Sequence, residues 1–395
     1  MCDVIGNRLK ECFMGRFAAS IMIPILMALS VLPFHSHAEG FKPLLPADAI
    51  AVSYFNNAAA QRSADAKVID GKLKSLAQQD AQRARKKPQK TDESGNISLL
   101  LGQNKPFLFI DPYLDVDAAL ALEGGKDVWT LSTVAGLIPP KQKGKAVCPD
   151  ITHSICVPCN AEKSIEALAK ALKPKATLKP ESVGDISLWS LVPTDKKRFG
   201  GLTNLAPCVT FLDGNLILFA SNRETLLNQV ALYQGKAPAM DARAPMNAVF
   251  DLPENTLGRT LIPDVGGILT EHLTEEVKRE IRTAFLFELP LRFDSVCELF
   301  IDLSVPPGRE TLITTLQFSC KTEEDTRNMQ DWGDIIKNMA SAGWYAMAKK
   351  TPEYNVLLNL SEKMGGCVTG RTVTLTVPVS TQDMEGLSKL KDIQR

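Results

Sequence analysis

Apolar positions in this chain alternate with polar ones in several short runs, and recur at helical spacing in the segments between. Ala49-Ile50-Ala51-Val52-Ser53-Tyr54-Phe55 is a short apolar run bounded by turn residues, which predicts a buried strand. From residue 56 to 87 the chain becomes Ala-, Gln- and Lys-rich, with Val68, Ile69, Leu73 and Leu76 at helical spacing, and Pro88 stops it. The polar, Gly-containing segment 89–96 reads as a loop or linker. Strands are predicted at Phe107 to Ile110 and Val128 to Val134, a Cys-rich loop from Lys141 to Asn160, and a helix from Ala161 whose face carries Ile165, Leu168, Ala169 and Leu172 before Pro174. Ile186 to Val192 reads as a strand. The stretch from Cys208 to Tyr233 reads as strand, Asp213-Gly214 turn, strand and helix, because an Asp-Gly pair suits a type I′ hairpin.

The second half opens after the Pro-containing stretch from Gly235 to Pro245. Cys297, Leu299, Ile301 and Leu303 alternate with Glu298, Phe300 and Asp302, Pro306-Pro307-Gly308 turns the chain, and Leu312, Leu316, Phe318 and Cys320 continue one face. This is the pattern of a long antiparallel hairpin with one face buried. Thr322 and Asp325 have capping-box spacing, and Met329, Trp332, Ile335, Ile336 and Met339 form the apolar stripe of the following helix. Leu299, Ile301, Leu316 and Phe318 are therefore expected to face one core under the helix bearing Trp332. Cys208-Val209-Thr210 and Cys367-Val368-Thr369 each open a strand, turn, strand, helix unit, the second running through Val373 to Val379 into Ser380-Thr381-Gln382-Asp383-Met384. Two readings stand: the halves are degenerate copies of one plan, or a common motif recurs by chance. The fold class is α+β, as two modules of largely antiparallel sheet packed with helices.

The N-terminus changes the picture from fold to address. Arg8, Lys10 and Arg16 precede an apolar run from Phe17 to Phe34, and Ser36-His37-Ala38 places small residues one and three positions before Glu39. That order is an export signal with a peptidase site. Its rival is an uncleaved N-terminal anchor, since roughly 18 apolar residues are enough to span a bilayer. Pro24 and Pro33 favour cleavage by breaking the helix. The expected organisation is a signal peptide over 1–38, a first α+β module over 39–240 containing the helical, basic segment 56–95, and a second module over 241–395. The mature protein is expected to be periplasmic or secreted, with no membrane span after cleavage.

Lys+Arg and Asp+Glu number 45 each, and residues 1–38 hold three of the basic and two of the acidic ones. So balanced a charge gives no general drive toward nucleic acid or an anionic surface, and no nucleic-acid partner is expected. The basic run Arg83-Ala84-Arg85-Lys86-Lys87 reads as a solvated helix end, with contact to anionic envelope polymers or lipid head groups as the lesser reading.

A chain that opens on Leu45-Pro46-Ala47-Asp48 plus a strand, and closes on Val373-Thr374-Leu375-Thr376-Val377-Pro378-Val379 plus a short helix, resembles a broad group of uncharacterised bacterial exported α+β proteins. The resemblance implies export and this fold class, and no activity.

Seven cysteines follow the signal, and Cys148, Cys156 and Cys159 lie together with His153. Three readings follow from the residues. In an oxidising compartment the first is a structural disulfide, with Cys148 joined to Cys156 or Cys159. The second is a zinc set of Cys148, His153, Cys156 and Cys159, although structural sites usually join two separated pairs. The third is a dithiol: Cys156-Val157-Pro158-Cys159 stands before a predicted helix, whose dipole would lower a thiol pKa. Residues 156–233 also resemble the second half of a thioredoxin fold. By that resemblance Cys156 would be the nucleophile, Cys159 the resolving thiol and Pro207 the cis proline facing them. This chain departs from the family in Cys148-Pro149 and Thr152-His153-Ser154, which interrupt any strand before the motif, and in Cys208, where threonine is common.

Cys320 and Cys367, on strand-like apolar faces, read equally as buried small hydrophobes or as bonded partners. His272 lacks a nucleophile-elbow motif and reads as a surface or cap residue. Glu275-Glu276 and Glu323-Glu324 read as acidic starts of helices. The sequence thus points to an exported binding or envelope scaffold protein of unknown ligand, with no cofactor and an unknown protein or envelope component as partner. A thiol-disulfide oxidoreductase using Cys156 and Cys159 is the alternative.

Overall fold

The computed structural model describes residues 44–46, 49–56, 64–69, 71–72, 75–76, 129–135, 146–147, 150–156, 161–172, 176–193, 202–203, 206–213, 216–237, 248–253, 255–266 and 295–393. The export segment, the expected strand at 107–110, the 89–96 linker, the basic run at 83–87, His272 and the Glu275-Glu276 pair lie outside them. The chain divides into two compact units, Met1–Ala58 with Asp92–Leu252, and Ala59–Thr91 with Pro253–Arg395. Each is α+β, with an antiparallel sheet and packed helices.

The first unit contains β1 (Ala49–Asn56), β2 (Trp129–Ala135), β3 (Ala146–Val147), β4 (Asp150–Cys156), α1 (Ala161–Leu172), β5 (Ala176–Val183), β6 (Ile186–Pro193), β7 (Leu202–Thr203), β8 (Cys208–Leu212), β9 (Leu216–Ala220) and α2 (Arg223–Tyr233). Its sheet runs β1-β2-β4-β9-β8-β6-β5 with every neighbour antiparallel, and β3 and β7 form a separate two-residue parallel pair. β9 is buried at every position, which is why Leu-Ile-Leu-Phe-Ala is a continuous apolar run and does not alternate. Leu226 and Val230 of α2 pack on Leu188, Cys208, Leu218 and Ala220 of the sheet. The helix starts where Asn222 accepts the Thr225 N–H at 2.9 Å, an N-cap bond.

Two local expectations are corrected here. The Cys-rich loop predicted over 141–160 contains strand β4, held between β2 and β9, so Thr152, His153 and Ser154 continue a strand and do not interrupt one. Thr152 and Ser154 are buried, and the Thr133 and Thr152 hydroxyls hydrogen-bond at 2.6 Å, which is how a polar-looking segment becomes a central strand. The Asp213-Gly214 hairpin is also longer than a two-residue turn, because Leu212 pairs with Leu216 and leaves 213–215 as the loop. Asp213 does take positive φ, at 49°, and accepts a hydrogen bond from the Tyr233 hydroxyl at 2.7 Å.

Strand β5, Ala-Thr-Leu-Lys-Pro-Glu-Ser-Val, is not among the elements predicted from the sequence. It is the end strand of the described sheet, where Lys179 and Pro180 are tolerated and discourage further pairing. Gly184 makes its turn into β6 with φ 57°, as the first residue of a two-residue hairpin loop.

The second unit contains β10 (Thr256–Pro263), β11 (Val296–Ser304), β12 (Thr311–Cys320), α3 (Glu323–Ala348), α4 (Asn355–Lys363), β13 (Gly365–Thr369), β14 (Thr372–Ser380) and α5 (Thr381–Ile393). Its sheet runs β10-β11-β12-β14-β13, again antiparallel. The expected hairpin is β11–β12, and Thr322 caps α3 by accepting the Asp325 N–H at 3.1 Å. Leu299, Ile301 and Leu316 are buried on the core face as expected, but Phe318 is only half-buried; Leu303, Leu312, Val373, Val377 and Val379 complete the layer. Gly386 lets α5 approach α4, since a Cβ there would fall 2.9 Å from Val356 Cγ2.

The helical residues after β1, expected with the first module, pack with the second unit. Asp65 accepts the Gly308 N–H at 2.8 Å at the tip of the β11–β12 hairpin, and Lys72 pairs with Glu385 of α5. The second unit accordingly draws one segment from between the two segments of the first and one from after them. Both units follow one order: a three-strand meander, a helical segment, a hairpin whose second strand adjoins the last meander strand, and a closing helix. The β5–β6 hairpin is the addition in the first unit. Cys208 and Ser221 are as far apart in sequence as Cys367 and Ser380, in the corresponding hairpins.

Candidate functional site

The sequence points to the connection between β4 and α1, and the structure places part of it. Cys156 closes β4, paired in register with Trp129 and Leu216, and α1 begins at Ala161. Cys148 and Cys159 lie outside the described residues. His153 holds a mid-strand position between Ser132 and Phe219, three residues before Cys156 and so about 10 Å away along an extended strand. A local order of strand, Cys-x-x-Cys and helix is therefore present. Among the described residues, no three His, Cys, Asp or Glu side chains converge as a metal site would require.

Pro207 is not brought to this end of the sheet. It is buried immediately before β8, where its carbonyl accepts the Leu191 N–H at 2.8 Å. Cys208 is level with Ala220, and Ala220 with Thr152, whereas Cys156 is level with Leu216 and Leu212. The register thus puts Pro207 level with Ile151, near the opposite end of β4 from Cys156, about 15 Å along the strand direction and two strand spacings across. The sheet also holds β4 antiparallel to both neighbours.

Cys208, next to that proline, is a packed thiol. Burial under α2 is the main cause that pushes its pKa up to about 12, the Glu181 carboxylate adds to the rise, and Arg223 offsets part of it. At neutral pH it is protonated and acts as a small apolar side chain. Cys320 is likewise buried and its thiol is raised, first by burial. Cys367 departs from the expected apolar face: it is exposed on β13. Cys208, Cys297, Cys320 and Cys367 are all free thiols.

The sequence reading missed three polar constellations. Arg259 of β10 and Asp302 of β11 face each other in register and form a bidentate pair, Nε to Oδ1 at 2.6 Å and Nη2 to Oδ2 at 2.8 Å, both residues buried. The Arg259 guanidinium also lies 5.2 Å from the centre of the Phe300 ring. Only Asp302 was visible beforehand, on the polar side of an alternating strand. At the start of α2, Thr225 donates to Asp150 at 2.6 Å and Asn222 donates to the same carboxylate oxygen at 3.2 Å.

At the start of α5, Asp383 accepts from Lys363 at 2.7 Å, from the Ser380 hydroxyl at 2.6 Å and from the Ser380 N–H at 2.9 Å. Burial alone would raise the Asp383 pKa, but the hydrogen bonds from Lys363 and Ser380 outweigh it and hold the carboxyl below its ordinary value. The Ser-x-x-Asp spacing was the available signal. Because the folded pKa is depressed, the stabilisation is present above the unfolded value near pH ~4 and is lost as pH falls through the folded value. Asp383→Asn should therefore cost about 1 kcal/mol at pH 7, the usual size of a lost cap, and show less further loss on acidification than the wild type. Urea titrations at pH 7 and pH 3 check this, and equal losses at both pH values would contradict it.

A half-buried aromatic pair completes the inventory. Trp189 of β6 and Phe211 of β8 meet edge to face at 5.6 Å, beside exposed Pro180 of β5. Opposite them in sequence parity, the Ser190 hydroxyl donates to Glu181 at 2.5 Å and Arg223 reaches Glu181 at 3.5 Å.

No protein-family profile matches this chain, and no curated protein matches it. Two solved structures of TP0453 are similar to it: crystal form I at 9% identity, covering 88% of this chain and 96% of that one, and crystal form IV at 8% identity, covering 91% and 98%, both with a TM-score of 0.39. Among the described residues no helix is long and apolar enough to cross a membrane.

Proposed function

We propose that this protein is an exported, non-catalytic binding or envelope scaffold protein, and that the Trp189–Phe211 pair is part of its contact surface. The observation that carries this reading is a half-buried aromatic pair on adjacent strands of the sheet, next to an end strand in which half of the residues are exposed. Trp and Phe supply large contact area at small entropic cost, and such residues dominate binding energy at interfaces. The charged clusters support the same reading, since Arg259–Asp302 and Asp383–Lys363 are engaged within the fold. The address rests on the export segment and its small-x-small site before Glu39. We also read the two units as degenerate copies of one plan, on their shared order of elements.

The second reading, a thiol-disulfide oxidoreductase, draws on Cys156 closing a strand shortly before α1. One experiment separates the two. The mature chain is cross-linked in native envelopes and the adducts identified, in parallel with Trp189→Ala and Phe211→Ala variants. We expect one dominant adduct that both variants lose by tenfold or more while their thermal midpoints stay close to wild type. Cys156-dependent turnover of a disulfide substrate, with adducts indifferent to Trp189 and Phe211, would establish the oxidoreductase instead.

A further inference from the structure

The open end of the β11–β12 hairpin brings two thiols together. Its regular ladder pairs Leu303 with Thr314, Leu299 with Phe318 and Glu298 with Ser319, and one further step would set Cys297 opposite Cys320. A one-residue bulge intervenes there and gives the paired position to Val296, so that Val296 and Cys297 both stand against Cys320. The Cys320 N–H donates to the Arg371 carbonyl at 2.8 Å, away from β11, while the next residue, Lys321, donates to Ser295 at 2.9 Å. Cys320 therefore meets β11 at a non-hydrogen-bonded position, where opposed Cα atoms lie about 4.5 Å apart and side chains are closest. Val296 holds that paired position, and Cys297 beside it lies close enough for its charge to act on the Cys320 thiol, the adjacency that a disulfide, spanning roughly 4.4–6.8 Å between Cα atoms, requires.

We propose that Cys297 and Cys320 form a reversible cross-strand disulfide that ties the hairpin at its bulge. Exposure divides the labour between the two thiols. Cys297 is half-buried and can be reached by an oxidant in solution, whereas Cys320 is buried at 3% exposure. The Cys297 thiolate attacks one sulfur of a small disulfide such as oxidised glutathione, forming a mixed disulfide and releasing one glutathione thiol. Cys320 then loses its proton to solvent and attacks the Cys297 sulfur, expelling the second glutathione. Two protein thiols lose two hydrogens in all, and one small disulfide becomes two thiols.

The second step is the slow one. Burial raises the Cys320 thiol, the Thr326 hydroxyl bonded to it lowers it, and Asp325 and Cys297 raise it again. Thr326 lies in the first turn of α3 with its hydroxyl 2.9 Å from the Thr322 carbonyl, so the bond would form directly beside the cap of that helix. The tie would constrain the unfolded chain across the whole hairpin.

Peptide mapping by mass spectrometry tests the proposal on the full mature chain. Folded protein is equilibrated with oxidised glutathione, quenched with an alkylating reagent and digested. We expect a linked peptide pair containing Cys297 and Cys320, present in Cys367→Ser, absent in Cys297→Ser, and reversed by dithiothreitol, with a thermal midpoint several degrees higher in the linked form. Recovery of Cys297 as a stable glutathione adduct and Cys320 as a free thiol, in protein with a native circular dichroism spectrum, would overturn it.

Discussion

Replacing Asp302 by Ala is expected to cost about 3–5 kcal/mol, because it leaves the Arg259 guanidinium buried without its counter-charge. The two residues sit directly across β10 and β11, with both oxygens of the carboxylate used and side-chain exposures of 11% and 7%. Water cannot readily take the place of the lost partner at that exposure, and the Phe300 ring offers the cation only a weak alternative. Arg259→Ala should cost as much for the converse reason. Replacing both at once, as Arg259→Met with Asp302→Leu, removes both desolvation costs and should recover most of the loss. Urea unfolding of the three variants, compared at equal slope, measures this. Additive losses in the double variant would mean that the pair is a net source of stability and not mainly a device for specifying the β10–β11 register.

The sequence was most readable where one physical rule acted alone. Alternation set out β11 and β12, and Thr322 with Asp325 marked the start of α3, because each signal lies within a few residues of what it controls. Apart from the two-residue strands β3 and β7, the strands absent from the predicted elements are β4, β5 and β10, where a second circumstance overrides local propensity. Thr152 and Ser154 are acceptable in a central strand because Thr133 on the neighbouring strand accepts or donates a hydrogen bond, and Thr133 is distant in sequence. Lys179 and Pro180 are acceptable in β5 because it ends the described sheet. Arg259 is acceptable in β10 because Asp302 lies opposite. Each exception depends on a strand pairing, and register is not written in either strand alone. The candidate dithiol shows the same limit: the resemblance to a thioredoxin fold links Cys156 with Pro207, and the antiparallel register separates them.

Phe219→Ala is expected to cost about 3–5 kcal/mol, the range for emptying a fully buried aromatic position. Phe219 is 1% exposed in the middle of β9, with Ile217 and Leu218 before it equally buried, so neither face of the strand has a route for solvent to fill the space. Phe318→Ala should cost distinctly less, about 1–2 kcal/mol, since a half-buried ring returns only part of its apolar area to water. The sequence places Phe318 on the core face, and the structure leaves it half-buried. What decides is position in the sheet: β9 lies between β4 and β8 and is buried at every position, whereas Phe318 is half-buried two residues from the end of the alternating strand β12. Chemical denaturation of the two variants under one set of conditions measures the order. Equal losses would place Phe318 in a closed core after all, and a loss below about 1 kcal/mol at Phe219 would mean that one face of β9 is open to solvent.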